Sequence, residues 1–237
     1  VEDSSGNAGA SVAAYAARAG IKAHVFVPAY ASPDKRAQIA VYGAEIEAVP
    51  GSREEAKRAA IEAAGEAGVA YASHAYHPSF LMGQETVAWE VWEQLDRRAP
   101  DWYVVPVGQG VHLLGMWRGF RRLRRAGLVE RIPRLVGVQA ELLAPVCEAF
   151  ADGLEDVPGL ALTSPTLAEG LAIPKPIRGQ RVLEAIRSTG GTCVSVTEDE
   201  IAEARREAAL QGFYIEPTSA TAWAAVRAVL EIAGPDD

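Results

Sequence analysis

Residues 104–115 read VVPVGQGVHLLG, an apolar run that passes through two glycines into a helical pattern. Because glycine carries no side chain, consecutive backbone amides can converge at such a turn. The first turn of the following helix adds positive electrostatic potential. The segment therefore predicts a strand, a loop and a helix, with a loop that binds a phosphate group.

Strand and helix patterns alternate along the whole chain around this unit. That order predicts an α/β protein with a mainly parallel sheet covered on both faces. The predicted strands are residues 24–27, 45–49, 70–73, 102–107, 134–139, 192–196 and 213–216. The predicted helices are residues 8–19, 33–41, 53–67, 78–98, 113–126, 140–150, 178–189, 198–211 and 219–232.

The organisation into domains follows from a break after the long helix predicted over residues 78–98, where Pro100 and Asp101 interrupt the pattern. We predict a smaller, mobile α/β domain over residues 1–98 and a larger α/β domain over residues 99–237, which carries the glycine loop. Only three residues precede the first turn, and no strand follows the last helix. We therefore expect that both ends are truncated.

Composition limits the possible partners. The chain has 237 residues and a formal net charge of -8, which argues against a nucleic acid or an anionic membrane as partner. No apolar stretch is long enough to span a membrane, and no signal peptide is visible. The expectation is a soluble cytoplasmic protein that acts on a small molecule.

A second candidate site lies near the amino end, where residues 4–11 read SSGNAGAS at the start of a helix. Free N–H groups at a helix start bind anions, and serine and asparagine side chains supply neutral hydrogen bonds to a carboxylate or a phenolic oxygen. An ordinary helix cap of serine or asparagine explains the same residues. The length of the motif favours a functional turn.

Two other interpretations were weighed. A dinucleotide-binding loop needs a third glycine at position 113, where Leu113 stands, and an acid closer than Glu141. The four histidines offer no spacing typical of a metal site, so no metal is predicted. Residues 211–220 read QGFYIEPTSA, and Pro217 with the hydroxyls after it is typical of a simple helix start.

Taken in order, these segments resemble the fold-type II pyridoxal-phosphate enzymes, most of all the threonine synthases. The resemblance implies a two-domain parallel-sheet fold of the tryptophan synthase β and threonine synthase type. It covers nearly the whole chain. The matching segments are DSSGNAGASVAAYAARAG at 3–20, YASHAYHPSFLMGQET at 71–86, VVPVGQGVHLLG at 104–115, GVQAE at 137–141, TLAEGLAI at 166–173, RGQRVLEAIRSTGG at 178–191 and GFYIEPTSATA at 212–222.

The resemblance implies pyridoxal 5'-phosphate as cofactor and gives roles to two groups of residues. Asn7 would donate a hydrogen bond to the phenolic oxygen of the cofactor. The substrate carboxylate would lie against Ser4, Ser5 and Ala8. The cofactor phosphate would be surrounded by the backbone amides of Gly108, Gln109, Gly110, Val111 and His112. The reaction would convert O-phosphohomoserine and water to threonine and phosphate, and a homodimer is the habit of the family.

One departure from the family concerns the lysine that forms the Schiff base. In the family this lysine precedes the SSGN turn, and we expect it to be absent from this chain. The four lysines, Lys22, Lys35, Lys57 and Lys175, match no cofactor lysine. The chain alone is then expected to be inactive. A threonine or serine dehydratase, or a non-catalytic binding protein that retained the fold, remains an alternative.

Overall fold

A computed structural model of the chain describes residues 1–161 and 164–234. The α/β class predicted from the sequence is confirmed, and the strands of each sheet pair in parallel. The chain divides into two compact units, Val1–Phe80 and Leu81–Asp237. The boundary predicted near residue 98 lies further along the chain, after the long helix.

Five strands and nine α-helices lie within the described residues. The strands are β1 (His24–Pro28), β2 (Glu45–Val49), β3 (Trp102–Pro106), β4 (Arg134–Ala140) and β5 (Thr192–Val196). The helices are α1 (Asn7–Ala19), α2 (Pro33–Ala40), α3 (Arg53–Ala63), α4 (Pro78–Gln94), α5 (Val111–Arg125), α6 (Pro145–Ala151), α7 (Gly179–Ser188), α8 (Glu198–Leu210) and α9 (Pro217–Ile232). None of these helices is long and apolar enough to cross a membrane.

The first unit is built around β1, which pairs with β2 on one edge and with Glu2 on the other. Its core consists of small and branched apolar side chains from α1, β1 and α2, including those of Val25 and Ile39. Residues 70–73 were predicted as a strand, but they form no strand because their backbone pairs with a single residue, Val1. The turn that leads into α1 thus leaves the middle of this small sheet.

The second unit has a sheet with the order β3–β4–β5, so β4 lies in the middle. Every β4 residue from Leu135 to Ala140 is buried, as expected for a central strand of a parallel sheet covered on both faces. Helices α5 and α7 pack against this strand, and α9 packs against all three strands. The carboxyl end of β3 leads directly into the glycine loop.

Two glycines explain why α4 belongs with the second unit. A Cβ atom on Gly115 of α5 would lie 2.4 Å from the Cβ of Gln84, and one on Gly119 would lie 2.5 Å from the Cβ of Ala88. The backbone of α5 therefore approaches α4 more closely than any larger residue would permit. Since this contact fixes most of α4 against α5, the compact unit begins before residue 98.

One predicted helix, over residues 140–150, is wrong in its first half. Strand β4 continues to Ala140, a 3-10 turn covers Glu141–Leu143, and α6 begins only at Pro145. Proline has no N–H to donate within a helix, and its fixed φ suits the first helical position. The proline therefore starts a new helix instead of continuing one.

The strand predicted over residues 213–216 is also wrong. The N–H of Phe213 donates to the carbonyl of Ala208 and so closes the end of α8, and the side chain of Tyr214 is 93% exposed. Helix α9 begins at Pro217, which confirms the interpretation of this segment as a helix start.

Candidate functional site

The glycine loop of the second unit tolerates no side chain at two positions. Gly110, just before Val111 starts α5, has a φ of 77°, which glycine adopts without strain. A Cβ atom there would lie 2.2 Å from Cγ2 of Val182. A Cβ atom on Gly108 would lie 3.0 Å from the carbonyl oxygen of Gly170. The loop is therefore closely packed from behind by the second unit.

The backbone amides of this loop are available to a ligand. Within residues 1–161 and 164–234, none of the N–H groups of residues 108–112 donates to a protein acceptor. The first helical hydrogen bond of α5 runs from the N–H of Leu114 to the carbonyl of Gly110. Five consecutive donors at a helix start form a site for an oxyanion, so the loop fits the phosphate group of a cofactor.

His112, the second residue of α5, contributes no positive charge to the loop near neutral pH. Its Nε2 atom lies 3.0 Å from the hydroxyl oxygen of Tyr103 on β3. Burial lowers the pKa of His112 below its ordinary value, and burial also raises the pKa of Tyr103. Both groups are therefore neutral, and the pair holds the imidazole in place by a hydrogen bond.

The side chain of Gln109 is committed to the protein itself. Its Oε1 atom accepts a hydrogen bond of 3.0 Å from the N–H of Ile177. This contact ties the loop to the segment that precedes α7. The backbone N–H of Gln109 is left for a ligand, which agrees with the role expected from the sequence.

The SSGN turn of the first unit is held in a compact conformation. The Oγ atom of Ser4 accepts a hydrogen bond of 3.2 Å from the N–H of Gly6, and Ser4 is buried. A Cβ atom on Gly9 would lie 2.0 Å from the carbonyl oxygen of Ser4. The turn therefore folds back over the first turn of α1, and glycine at position 9 makes this possible.

The remaining residues of the turn are accessible. Ser5 and Ala8 are half-buried and Asn7 is exposed as the first residue of α1. The N–H groups of Ser5 and Ala8 have no acceptor in the part of the chain that the structure describes. Donors of this kind suit a carboxylate, which is the group expected here from the sequence.

The structure thus brings the nine predicted site residues together in two groups. Each group lies within one unit: the turn in the first and the glycine loop in the second. Both groups combine a helix start with unpaired amides.

Sequence reasoning missed a polar cluster directly behind the SSGN turn. The carboxylate of Glu2 is fully buried and its Oε1 atom lies 2.6 Å from Nδ1 of His74. The hydroxyl of Tyr71 donates a hydrogen bond of 2.6 Å to the next residue, Asp3. These contacts join the two residues before the turn to the segment before α4. Two adjacent acids at the end of a buried strand were the available signal.

The cluster also has the donor atoms of a metal site. One ligand atom each from Glu2, Asp3 and His74 lies within 4.8 Å of the others. The second carboxylate oxygen of Glu2 is buried and has no hydrogen-bond partner among the described residues. The histidine spacing in the sequence did not indicate this grouping, because His74 and Glu2 are far apart along the chain.

The Glu2–His74 pair should make stability depend on pH. Burial of His74 opposes its charge, but the hydrogen bond and the charge of Glu2 outweigh burial and raise its pKa above 6.5. Burial raises the pKa of Glu2 as well. Both groups bind protons more tightly in the folded protein, so their contribution is complete below pH 6.5 and is lost as pH rises through the raised pKa of His74.

We expect the free energy of unfolding to fall by about 1 kcal/mol across this range, as measured by urea unfolding at several pH values. The His74→Gln variant is the control, since it removes the titrating group. Equal pH profiles for the two proteins would contradict the assignment.

Comparison with known proteins agrees with this geometry. The model of a family described as pyridoxal-phosphate dependent enzymes matches residues 1–237. The chain belongs to this family. Pyridoxal 5'-phosphate is accordingly its cofactor, and the resemblance inferred from the sequence is confirmed.

Curated relatives in this family are threonine synthases. The chain is 35% identical over 231 residues to the threonine synthase of Methanocaldococcus jannaschii, with 96% of the chain and 56% of the relative covered. It is 32% identical over 231 residues to that of Methanosarcina acetivorans, with 97% and 56% covered. The chain spans about half the length of the curated relatives it matches.

Solved structures of the family share the fold. The threonine deaminase of T.th. superposes with a TM-score of 0.82 at 26% identity, covering 98% of this chain and 72% of the other. A maize serine racemase superposes with a TM-score of 0.83 at 22% identity, covering 98% and 67%. The fold of the fold-type II pyridoxal-phosphate enzymes is thereby established for this chain.

Proposed function

We propose that the chain is part of a threonine synthase-like lyase that converts O-phosphohomoserine and water to threonine and phosphate. The observation that carries this proposal is the row of five unpaired amides in the glycine loop, residues 108–112. The threonine synthase relatives support the choice of reaction. The bound cofactor supplies the electron sink for the bond changes, and the protein supplies binding and orientation.

The loop amides and the start of α5 hold the cofactor phosphate in this proposal. Gly108 and Gly110 bring the amides close to the anion, and Val111 contributes its N–H but no hydroxyl. Because His112 is neutral, the phosphate is held by backbone dipoles and the helix start, not by the charge of that histidine. Gln109 contributes its N–H only, since its side chain binds Ile177.

The SSGN turn has the complementary role of holding the substrate. We assign the substrate carboxylate to Ser4, Ser5 and Ala8, whose hydroxyl and amide donors suit an anion. Asn7 is assigned to the phenolic oxygen of the cofactor. The accessibility of Ser5, Asn7 and Ala8 supports this assignment, and the buried Ser4 fixes the turn beneath them.

We further propose that none of the four lysines carries the cofactor. Lys57 forms an ion pair with Glu54 on α3, and that hydrogen bond raises its pKa, whereas a lysine that forms an imine at neutral pH needs a lowered one. Lys22 follows the end of α1, Lys35 lies in the first turn of α2, and Lys175 lies before α7. None of the four lies in the SSGN turn or the glycine loop.

Borohydride reduction tests this part of the proposal. The chain incubated with pyridoxal phosphate, reduced and analysed by mass spectrometry should keep its original mass at equimolar cofactor. Pyridoxal phosphate with free lysine under the same conditions is the positive control. Stoichiometric addition at one of Lys22, Lys35, Lys57 or Lys175 would show that the chain contains its own cofactor lysine.

The second candidate is a threonine or serine dehydratase, which the 26% identical threonine deaminase structure favours. The protein expressed from its natural gene separates the two candidates. Phosphate release from O-phosphohomoserine is the expected activity, with little 2-oxobutyrate formed from threonine. The reverse result would assign the protein to the dehydratases, and binding of pyridoxal phosphate with neither activity would identify a non-catalytic binding protein.

A further inference from the structure

Gln139 is a fully buried polar residue near the carboxyl end of β4. Its Oε1 atom accepts hydrogen bonds from the N–H groups of Val146 at 2.8 Å and Cys147 at 3.2 Å, in the first turn of α6. Its Nε2 atom donates to the carbonyl of Val107 at 3.0 Å. Two donors on one side and an acceptor on the other fix the orientation of the carboxamide unambiguously.

The contact with Val107 has a consequence for the glycine loop. The carbonyl oxygen of Val107 and the N–H of Gly108 belong to one planar trans peptide, in which they point in opposite directions. The Nε2 atom of Gln139 holds the carbonyl on one side. The N–H of Gly108, the first of the five unpaired amides, is therefore directed to the other side.

The preceding peptide is fixed as well, since the N–H of Val107 donates to the carbonyl of Val138 at 2.8 Å. The ladder between β3 and β4 ends at this bond. Beyond it, no backbone hydrogen bond within the described residues restrains the peptide between Val107 and Gly108. The side chain of Gln139 supplies that restraint.

We propose that Gln139 is a positioning residue that orients the first amide donor of the phosphate-binding loop. This inference rests on the proposed function of the loop. Glutamine is required because the position needs both a donor and an acceptor. A glutamate could still accept from Val146 and Cys147, but its ionised form would place an oxygen against the carbonyl of Val107. An apolar residue would leave all three backbone groups without partners.

The Gln139→Glu variant tests the donor alone, because it keeps the size and the acceptor. Near pH 8 we expect the dissociation constant for pyridoxal phosphate to rise about tenfold, by calorimetric titration of the full chain. Near pH 5.5 the buried carboxyl takes up a proton and can donate to Val107, so the difference from the unmodified chain at the same pH should shrink. Affinity for pyridoxal, which lacks the phosphate, should be equal in both proteins.

Two results would overturn the inference. One is unchanged affinity of the variant for pyridoxal phosphate at both pH values. The other is a loss of affinity that is the same at both pH values, or that extends to pyridoxal, because a general packing defect would produce it. If the unmodified chain binds neither pyridoxal phosphate nor inorganic phosphate, the proposed function of the loop fails and the inference fails with it.

A measurement on the unmodified chain covers the case of a variant that does not fold. Titration with inorganic phosphate, followed by proton–nitrogen NMR, should shift the amide resonance of Gly108 downfield along with those of residues 109–112. Shifts in residues 109–112 without a shift in Gly108 would show that the first amide does not face the anion. That result would overturn the role of Gln139 and leave the phosphate site intact.

Discussion

A Gly110→Ala substitution is expected to lower the affinity for pyridoxal phosphate by about 100-fold or more. The added methyl group would lie 2.2 Å from Cγ2 of Val182, and alanine is strained at a φ of 77°. Strain and overpacking together cost about 2–5 kcal/mol. The loop can relieve this cost only by moving its amides away from the phosphate. Calorimetric titration with pyridoxal phosphate and urea unfolding would measure both effects.

Gly127 provides a matched control at the other end of α5. It has a φ of 71°, and a Cβ atom there would meet nothing within 4 Å. The Gly127→Ala variant therefore carries the conformational strain without the clash. We expect it to lose about 1 kcal/mol of stability and to bind pyridoxal phosphate normally. Equal binding by the Gly110 and Gly127 variants would show that the close packing of the loop does not matter for the cofactor.

A Gly9→Ala substitution is expected to disrupt the SSGN turn. The methyl group would lie 2.0 Å from the carbonyl oxygen of Ser4, a backbone atom that cannot rotate away. The turn must then separate from α1, at a cost of about 1–3 kcal/mol in stability. In the protein expressed from its natural gene, we expect a higher KM for O-phosphohomoserine, since the donors proposed for its carboxylate are displaced.

The control for this substitution is Gly83→Ala on α4. Gly83 is also a helical glycine, but a Cβ atom there would meet nothing within 4 Å. Alanine has the higher helix propensity, so this variant should gain up to about 1 kcal/mol and keep its KM. If the Gly9→Ala protein were as stable as the unmodified one and kept its KM, the close approach of turn and helix would be refuted.

Features encoded by neighbouring residues could be predicted from the sequence. The glycine loop and the SSGN turn are each continuous segments, and their helix starts and unpaired amides follow from local patterns. The parallel order of strands followed from the alternation of apolar runs with helices. The error at residues 140–150 was also local, because Pro145 was present in the sequence and its effect was not used.

Contacts between distant residues could not be predicted. The pairs Glu2–His74 and Gln109–Ile177 are separated by 72 and 68 residues, and nothing in the periodicity of either segment indicates the partner. The place of α4 in the second unit depends on two glycines of another helix. The role of Gln139 likewise emerges only when β3, β4 and α6 are assembled.

The phosphate loop consists of main-chain donors, and the imidazole of His112 is neutral. A binding surface of this kind depends on the path of the chain and hardly at all on which functional groups its side chains carry. Among relatives, positions 109, 111 and 112 are therefore free to drift, while the two positions that exclude a Cβ atom, 108 and 110, are not. Screens that look for charged residues at anion sites would overlook such a loop.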